Sequence, residues 1–309
     1  MITLSNGHRI EFLAASGALA FDGRGWPWER PWLWSGKLNP EVFTIVLKTL
    51  KLYRHTGHLR WWNGTRVVKW LPNGTVNSIG LTGPGLLHWI EHTLPQLNSK
   101  WRYIISITAS TAVAVEVMGR LIRFAVKNKP YIVGVQFNAS CPNSPGEAEL
   151  LENTDQVVAL VRAFYHAVHP LPLLLKLSAQ QNCLTIVRQL SPLIEAVELN
   201  SVPWALAFPG AKSPLAKRFG AGGVSGKAAQ AQNWKAIERL TRENFESSCV
   251  RAVPIIGCSV WEYEDLEQLR SKGVQAVAFG ALFLKKWHGL NPTLPNQYVA
   301  RWRKGHERF

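Results

Sequence analysis

Eight short apolar runs, with amphipathic stretches between most of them, constrain this 309-residue chain more than any other feature. They are Ile10–Ala14, Phe43–Leu47, Tyr103–Ile107, Ile132–Phe137, Leu173–Leu175, Val197–Leu199, Val253–Ile256 and Ala276–Phe279. Each has the length and aliphatic character of a strand buried on both faces. Between them, Thr111–Asn128 carries Val115, Met118, Leu121, Ile122 and Ala125 on one helical face, and Thr154–His169, Trp234–Arg242 and Glu262–Lys272 read likewise. Alternating strand and helix implies a parallel sheet, and eight repeats favour closure into a single-domain (β/α)8 TIM barrel over 1–309. Asn6-Gly7 and Asn73-Gly74 predict β-hairpins, one ahead of the first barrel strand and one leading into Asn77–Leu81.

Composition narrows the class. Hydrophobic residues make up 47% of the chain, enough for a sizeable core. No apolar run reaches ~18 residues, and the N-terminus lacks a basic-then-apolar order, so neither a membrane anchor nor a signal peptide is expected. The four cysteines, Cys141, Cys183, Cys249 and Cys258, show no Cys-x-x-Cys spacing, which argues against a cysteine-bound metal or cluster and for a reduced, cytoplasmic protein. Thirty-five Lys and Arg against 20 Asp and Glu give a formal charge of +15, but the positives are scattered, so a basic surface is preferred to a nucleic-acid partner.

Asn138-Ala139-Ser140-Cys141-Pro142-Asn143 follows the fourth run. Asn, Ser and Pro also mark turns, so on these residues alone a strand-to-turn junction and a site stand level. In the second reading, Asn138 and Asn143 hold a planar ring with amide-like edges, and Cys141 removes a proton if its surroundings favour the thiolate. Lys48 and Lys176 each end an apolar run, and a lysine there needs an anionic partner or water.

The Asn-x-Ser-Cys-Pro-Asn motif closely resembles the flavin-site motif of the dihydroorotate dehydrogenase family, in the class that uses a cysteine base. Further matches follow in family order: Ala15-Ser16-Gly17, Lys48-Thr49, Asn77-Ser78-Ile79-Gly80-Leu81, Lys176-Leu177-Ser178, Asn200-Ser201, Gly222-Gly223-Val224-Ser225-Gly226, Val253–Gly257 and Gly280. The resemblance implies FMN as cofactor and dihydroorotate as substrate, with oxidation to orotate in pyrimidine biosynthesis. It implies that Cys141 takes a proton while FMN accepts hydride. Around the flavin it places Ala15, Ser16, Lys48, Thr49, Asn138, Lys176, Leu199, Gly226, Cys258, Ser259, Gly280 and Ala281. Around the substrate it places Lys48, Asn77, Ser78, Ile79, Gly80, Leu81, Asn138, Asn143, Asn200 and Ser201. Lys176 would stabilise the reduced flavin, and Lys48 would reach flavin and substrate.

Two departures stand out. The family usually has adjacent glycines after the seventh strand, where this chain has Cys258-Ser259, and a cysteine there must tolerate a backbone shape that glycine usually supplies. Leu81-Thr82-Gly83 replaces a stretch where proline and asparagine are common. Residues 26–34 hold four of the 14 tryptophans in the first strand-to-helix loop. They form a lid, a dimer contact or a docking surface, or a loop folded over the barrel with its indoles buried, and the last is preferred. A homodimer is compatible with the resemblance. Alternatives are a flavin barrel acting on tRNA, similar to dihydrouridine synthases, and a barrel that has lost catalysis and serves as an interaction protein. Fumarate, a pyridine nucleotide through a partner subunit, or quinone could accept the electrons, the quinone type being disfavoured without a membrane helix.

Overall fold

In the computed structural model, which describes residues 1–60, 63–141, 148–199, 202–246, 251–285 and 292–306, the expected strands close into a parallel barrel. They are β1 (Phe12–Ala14), β2 (Thr44–Val46), β3 (Arg102–Ile107), β4 (Ile132–Asn138), β5 (Leu173–Leu177), β6 (Ala196–Leu199), β7 (Ile255–Gly257) and β8 (Ala276–Phe279). Each pairs with its neighbours in chain order, and β8 closes on β1 through Val277 and Phe12.

Strand alternation divides the apolar residues in two. Leu13, Val46, Ile104, Leu174, Ala196, Ile256 and Ala278 fill the lumen. Their neighbours Ile45, Leu47, Ile105, Phe137, Leu175 and Val197 face the helices. The antiparallel hairpin of Ile2–Thr3 and Arg9–Ile10 puts Ile2, Leu4 and Ile10 against the lumen cluster, closing its N-terminal end. Asn6 Nδ2 donates to Val133 O at 3.0 Å and fixes the hairpin beneath β4.

The helices begin where the sequence offers caps. Thr111 Oγ1 accepts from the Ala114 N–H, and Asn153 Oδ1 from the Gln156 N–H, ahead of helices Ala112–Ala125 and Thr154–Val168. Gly119 lets these two helices meet closely, since a Cβ there would fall 2.5 Å from Ala167 Cβ.

The second hairpin, Val68–Leu71 with Gly74–Asn77, also forms. It joins Gly223–Ser225 and Val202–Pro203 in a four-stranded antiparallel sheet built from the loops after β2 and β6. Two chemical motifs, Asn77–Leu81 and Gly222–Gly226, therefore ride on this accessory sheet instead of ending barrel strands. Among the described residues, no helix is long and apolar enough to cross a membrane.

The tryptophan segment divides its indoles. Trp26 Nε1 donates to Gly17 O at 2.9 Å, and Trp32 packs on the core. Trp28 stacks on Trp26 and is 36% exposed, while Trp34 projects with 78% exposed. None of the four indoles is fully buried: Trp26 and Trp32 are half-buried and Trp28 and Trp34 are exposed, so the expectation of a loop with its indoles buried is met only in part.

Candidate active site

Above the apolar lumen layer, the next inward position of several strands is polar. Ser106 pairs with Gln136, Asn138 with Lys176 and Lys176 with Glu198 in the strand register, and all five are buried. Lys48 and Thr49 follow β2 directly and are buried too.

These groups are linked. Lys176 Nζ lies 2.9 Å from Glu198 Oε1. Gln136 Nε2 donates to Glu198 Oε2 at 2.6 Å, and Ser106 Oγ donates to Gln136 Oε1 at 3.1 Å. Ser106 Oγ lies 2.9 Å from Thr49 Oγ1, which receives Asn138 Nδ2 at 2.9 Å and lies 3.0 Å from Ser16 Oγ. Asn138 Oδ1 accepts from the N–H and hydroxyl of Ser140. Ser16, Thr49, Asn138 and Lys176, read from separate sequence motifs, thus share one network.

Lys48 stands apart from it. Burial pushes its ammonium down to about 8 from 10.5, and the charge of Cys141 opposes that shift. Lys48 is therefore a positive charge within electrostatic range of Cys141, a position the sequence alone does not locate. The lysine is fixed by its surroundings: its main-chain N–H donates to Ala20 O, its ammonium lies 5.9 Å from the Phe21 ring, and a Cβ on Gly17 would lie 3.6 Å from its Cγ. Cys183 and Cys258 have no such role, since burial pushes both thiols up to about 12. Cys249 lies outside the described residues.

On the accessory sheet, Asn77 Nδ2 reaches Gly223 O at 3.5 Å, and the Ser78 hydroxyl donates to Phe219 O. The Ile79 carbonyl accepts from the His58 N–H, and Gly80 and Leu81 both have positive φ (67° and 56°). Asn143, Asn200 and Ser201 lie outside the described residues. The Leu199 side chain sits in the shell between barrel and helices, so only its main chain can line the mouth.

In the turn after β7, the strained residue is Ser259 (φ 65°), which corrects the expectation that Cys258 must adopt the glycine-like shape. Ser259 Oγ accepts from Asn233 Nδ2 at 2.9 Å, and the Cys258 carbonyl accepts from Trp234 Nε1 at 3.0 Å. Asp265 Oδ2 receives the Trp261 and Glu262 N–H groups and holds the rest of the turn. Gly226 has a packing role as well: a Cβ there would come 2.8 Å from Trp261 Cε3 and 2.9 Å from Gly74 Cα. Gly280 is open, its nearest neighbour to a Cβ being Ala15 Cβ at 3.5 Å.

Sequence reasoning missed Ser106, Gln136, Glu198, Gln181 and Trp261. Gln181 joins the loops after β4 and β5, accepting from the Ser178 N–H and donating to Ala139 O and Leu150 O. The signal for the first three was present: one polar residue at the inward position of each strand, inside runs counted as apolar.

A parallel eight-stranded barrel with a layer of buried polar side chains at the C-terminal ends of its strands is an enzyme scaffold, since that is the end at which such barrels carry their sites. A sequence profile described as dihydroorotate dehydrogenase matches residues 41–265, and the chain belongs to that family, among oxidoreductases acting on CH–CH bonds. It is 26% identical over 242 residues to the dihydroorotate dehydrogenase B (NAD(+)) catalytic subunit of Staphylococcus carnosus, covering 78% of this chain and 74% of that protein. It is 27% identical to the equivalent protein of a Geobacillus species, over 72% of this chain and 68% of that one. For the Listeria monocytogenes protein the identity is 29%, with 71% and 70% covered.

Proposed function

We propose that this protein oxidises dihydroorotate to orotate with Cys141 as base, FMN as cofactor and Lys48 as the fixed charge that keeps the base competent. The observation that carries the reading is the buried polar network at the barrel mouth, which includes Asn138 and Lys176, together with the buried Lys48 that follows β2. Family membership supports a role in pyrimidine biosynthesis.

The donor set suits a flavin ring. Small residues, Ala15 and Gly280, leave room, while Lys48, Asn138 and Lys176 supply donors from neighbouring strands and Thr49 holds Asn138 in place. Ser259, Gly280, Ala281 and Gly226 are the positions proposed for the phosphate. When bound, FMN supplies the acceptor for hydride leaving the substrate carbon that bears the carboxylate.

The residues do the rest. The Cys141 thiolate takes the proton from the adjacent ring carbon, next to the carbonyl, and becomes a thiol. Lys48 opposes the desolvation cost of that thiolate and offers its charge to the substrate carboxylate. Asn138 is held by Thr49 and Ser140, so its amide is set before substrate arrives. We read the second acceptor as NAD+ reached through a partner subunit, as the relatives' name has it.

The test is spectroscopic. Purified protein should absorb near ~450 nm, as flavoproteins do, and bleach anaerobically with dihydroorotate. Cys141→Ala should keep the flavin and slow bleaching by at least ~10²-fold, the lower range for loss of a general base. A colourless protein that takes up no FMN refutes the cofactor, and equal bleaching rates in native and variant protein refute the base.

A further inference from the structure

We propose that Glu198 is a positioning residue that holds Lys176 and cancels most of its charge at the barrel mouth, so that the lysine acts there as half of an ion pair. The inference rests on the reading that FMN binds in this mouth.

Both side chains are almost sealed, Lys176 at 3% and Glu198 at 2% exposed, with 2.9 Å between Nζ and Oε1. At that burial neither charge is shared with bulk water, and the pair's field falls off faster than that of a lone ammonium. A neighbouring group that becomes anionic is therefore stabilised less by this lysine than its position alone suggests.

Glu198 also sets the direction of the network. Its second oxygen takes Gln136 Nε2 at 2.6 Å, which turns the Gln136 carbonyl toward Ser106. The reversed amide would set a carbonyl oxygen against a carboxylate. Ser106 spends its only proton on Gln136 Oε1, so Thr49 must donate to Ser106 Oγ. The Thr49 oxygen is then an acceptor for Asn138 Nδ2. The donor direction from Asn138 through Thr49, Ser106 and Gln136 ends on Glu198, an acceptor-only group that also receives Lys176. One carboxylate thus governs both the charge on the β5 side and the amide orientation on the β4 side.

A core ion pair that only supports packing would leave the flavin's redox equilibrium alone, so the deciding measurement is the midpoint potential of bound FMN, obtained by equilibration with reference dyes. Glu198→Gln should raise the equilibrium constant for two-electron reduction at least tenfold, about 30 mV upward. Glu198→Asp, which keeps the charge, should stay within that margin of the native value. The doubly neutral variant K176M/E198Q leaves no buried unpaired charge, so it stays measurable if Glu198→Gln does not fold. Its potential should also lie within about 30 mV of native. An unchanged or lowered potential in Glu198→Gln overturns the proposal, as does a fall of more than that margin in the double variant. If native protein binds no FMN, the functional reading fails and this one with it. If FMN binds and the potentials do not move as stated, this one fails alone.

Discussion

Glu29 should make this protein's stability fall as pH rises, and Glu29→Gln should remove that dependence. The residue lies within the tryptophan segment and is 1% exposed. Its Oε2 accepts from the Trp26 N–H at 2.8 Å, while Oε1, also buried, has no hydrogen-bond partner among the described residues. Burial pushes the carboxyl up to about 8 from 4.5, with the Trp26 N–H opposing. Because the folded value is the raised one, the full contribution to stability is present below 4.5 and is lost as pH climbs through about 8. At ~1.36 kcal/mol per pH unit, the interval from 4.5 to 7 corresponds to ~3 kcal/mol and the interval to 8 to ~5 kcal/mol. Both are ceilings, since the segment can open locally at lower cost than global unfolding.

Gln keeps the Trp26 bond and, like protonated Glu, leaves one polar group without a partner. Native protein and variant should therefore match near pH 5 in urea unfolding, and the variant should lead by ~2–3 kcal/mol at pH 8 once local opening is allowed for. Parallel stability curves from pH 5 to 8.5 would refute the reasoning. The consequence reaches the site, because Trp26 holds the Gly17 carbonyl and Gly17 lies against the Lys48 stem.

Gly226→Ala should destabilise by at least ~2 kcal/mol, since its Cβ collides with Trp261 and with Gly74 at φ 85°, and a thermal melt checks it. Ser259→Gly should leave stability within ~1 kcal/mol, relief of the left-handed strain offsetting the bond from Asn233, and should hold or tighten FMN binding. Ser259→Asp should release FMN, and unchanged affinity by titration would show that this turn points away from the phosphate. All three described cysteines are buried, so iodoacetamide at pH 8 with peptide mapping should separate them by thiolate content alone: Cys183 and Cys258, with thiols pushed up to about 12, should react more slowly than Cys141, and equal rates would contradict the assigned environments.

The barrel was legible because its strands are buried on both faces, so each appears as an apolar run whatever its register. Ends were less so. Leu173–Leu175 extends through Lys176 to Leu177, and Ile132–Phe137 to Asn138, because a polar residue facing the lumen still belongs to the ladder. Ile10 was assigned to the first barrel strand, but it pairs with Ile2 in the hairpin, and the barrel strand starts at Phe12. The accessory sheet was half visible. Asn73-Gly74 announced its hairpin, whereas its pairing with Gly223–Ser225 joins residues ~150 apart, and no local pattern encodes that contact.

The site divides along the same line. Lys48, Asn138 and Lys176 were visible because each closes an apolar run, where a charge or amide needs an explanation. Gln136 and Glu198 were passed over because they sit within such runs, flanked by Val135 and Phe137 and by Val197 and Leu199, all facing the helices. A period-two reading recovers them. In a closed barrel the inward positions of adjacent strands form one layer, so polar residues that look isolated in sequence become neighbours by register alone. Ser106, Gln136, Lys176 and Glu198 occupy such positions on consecutive strands. Lys176 read by itself is an unpaired charge awaiting an anionic ligand. Read with its layer, it is already paired, and the lysine with no carboxylate partner among the described residues at this mouth is Lys48. The division of labour between the two follows from where the lumen layer places Glu198.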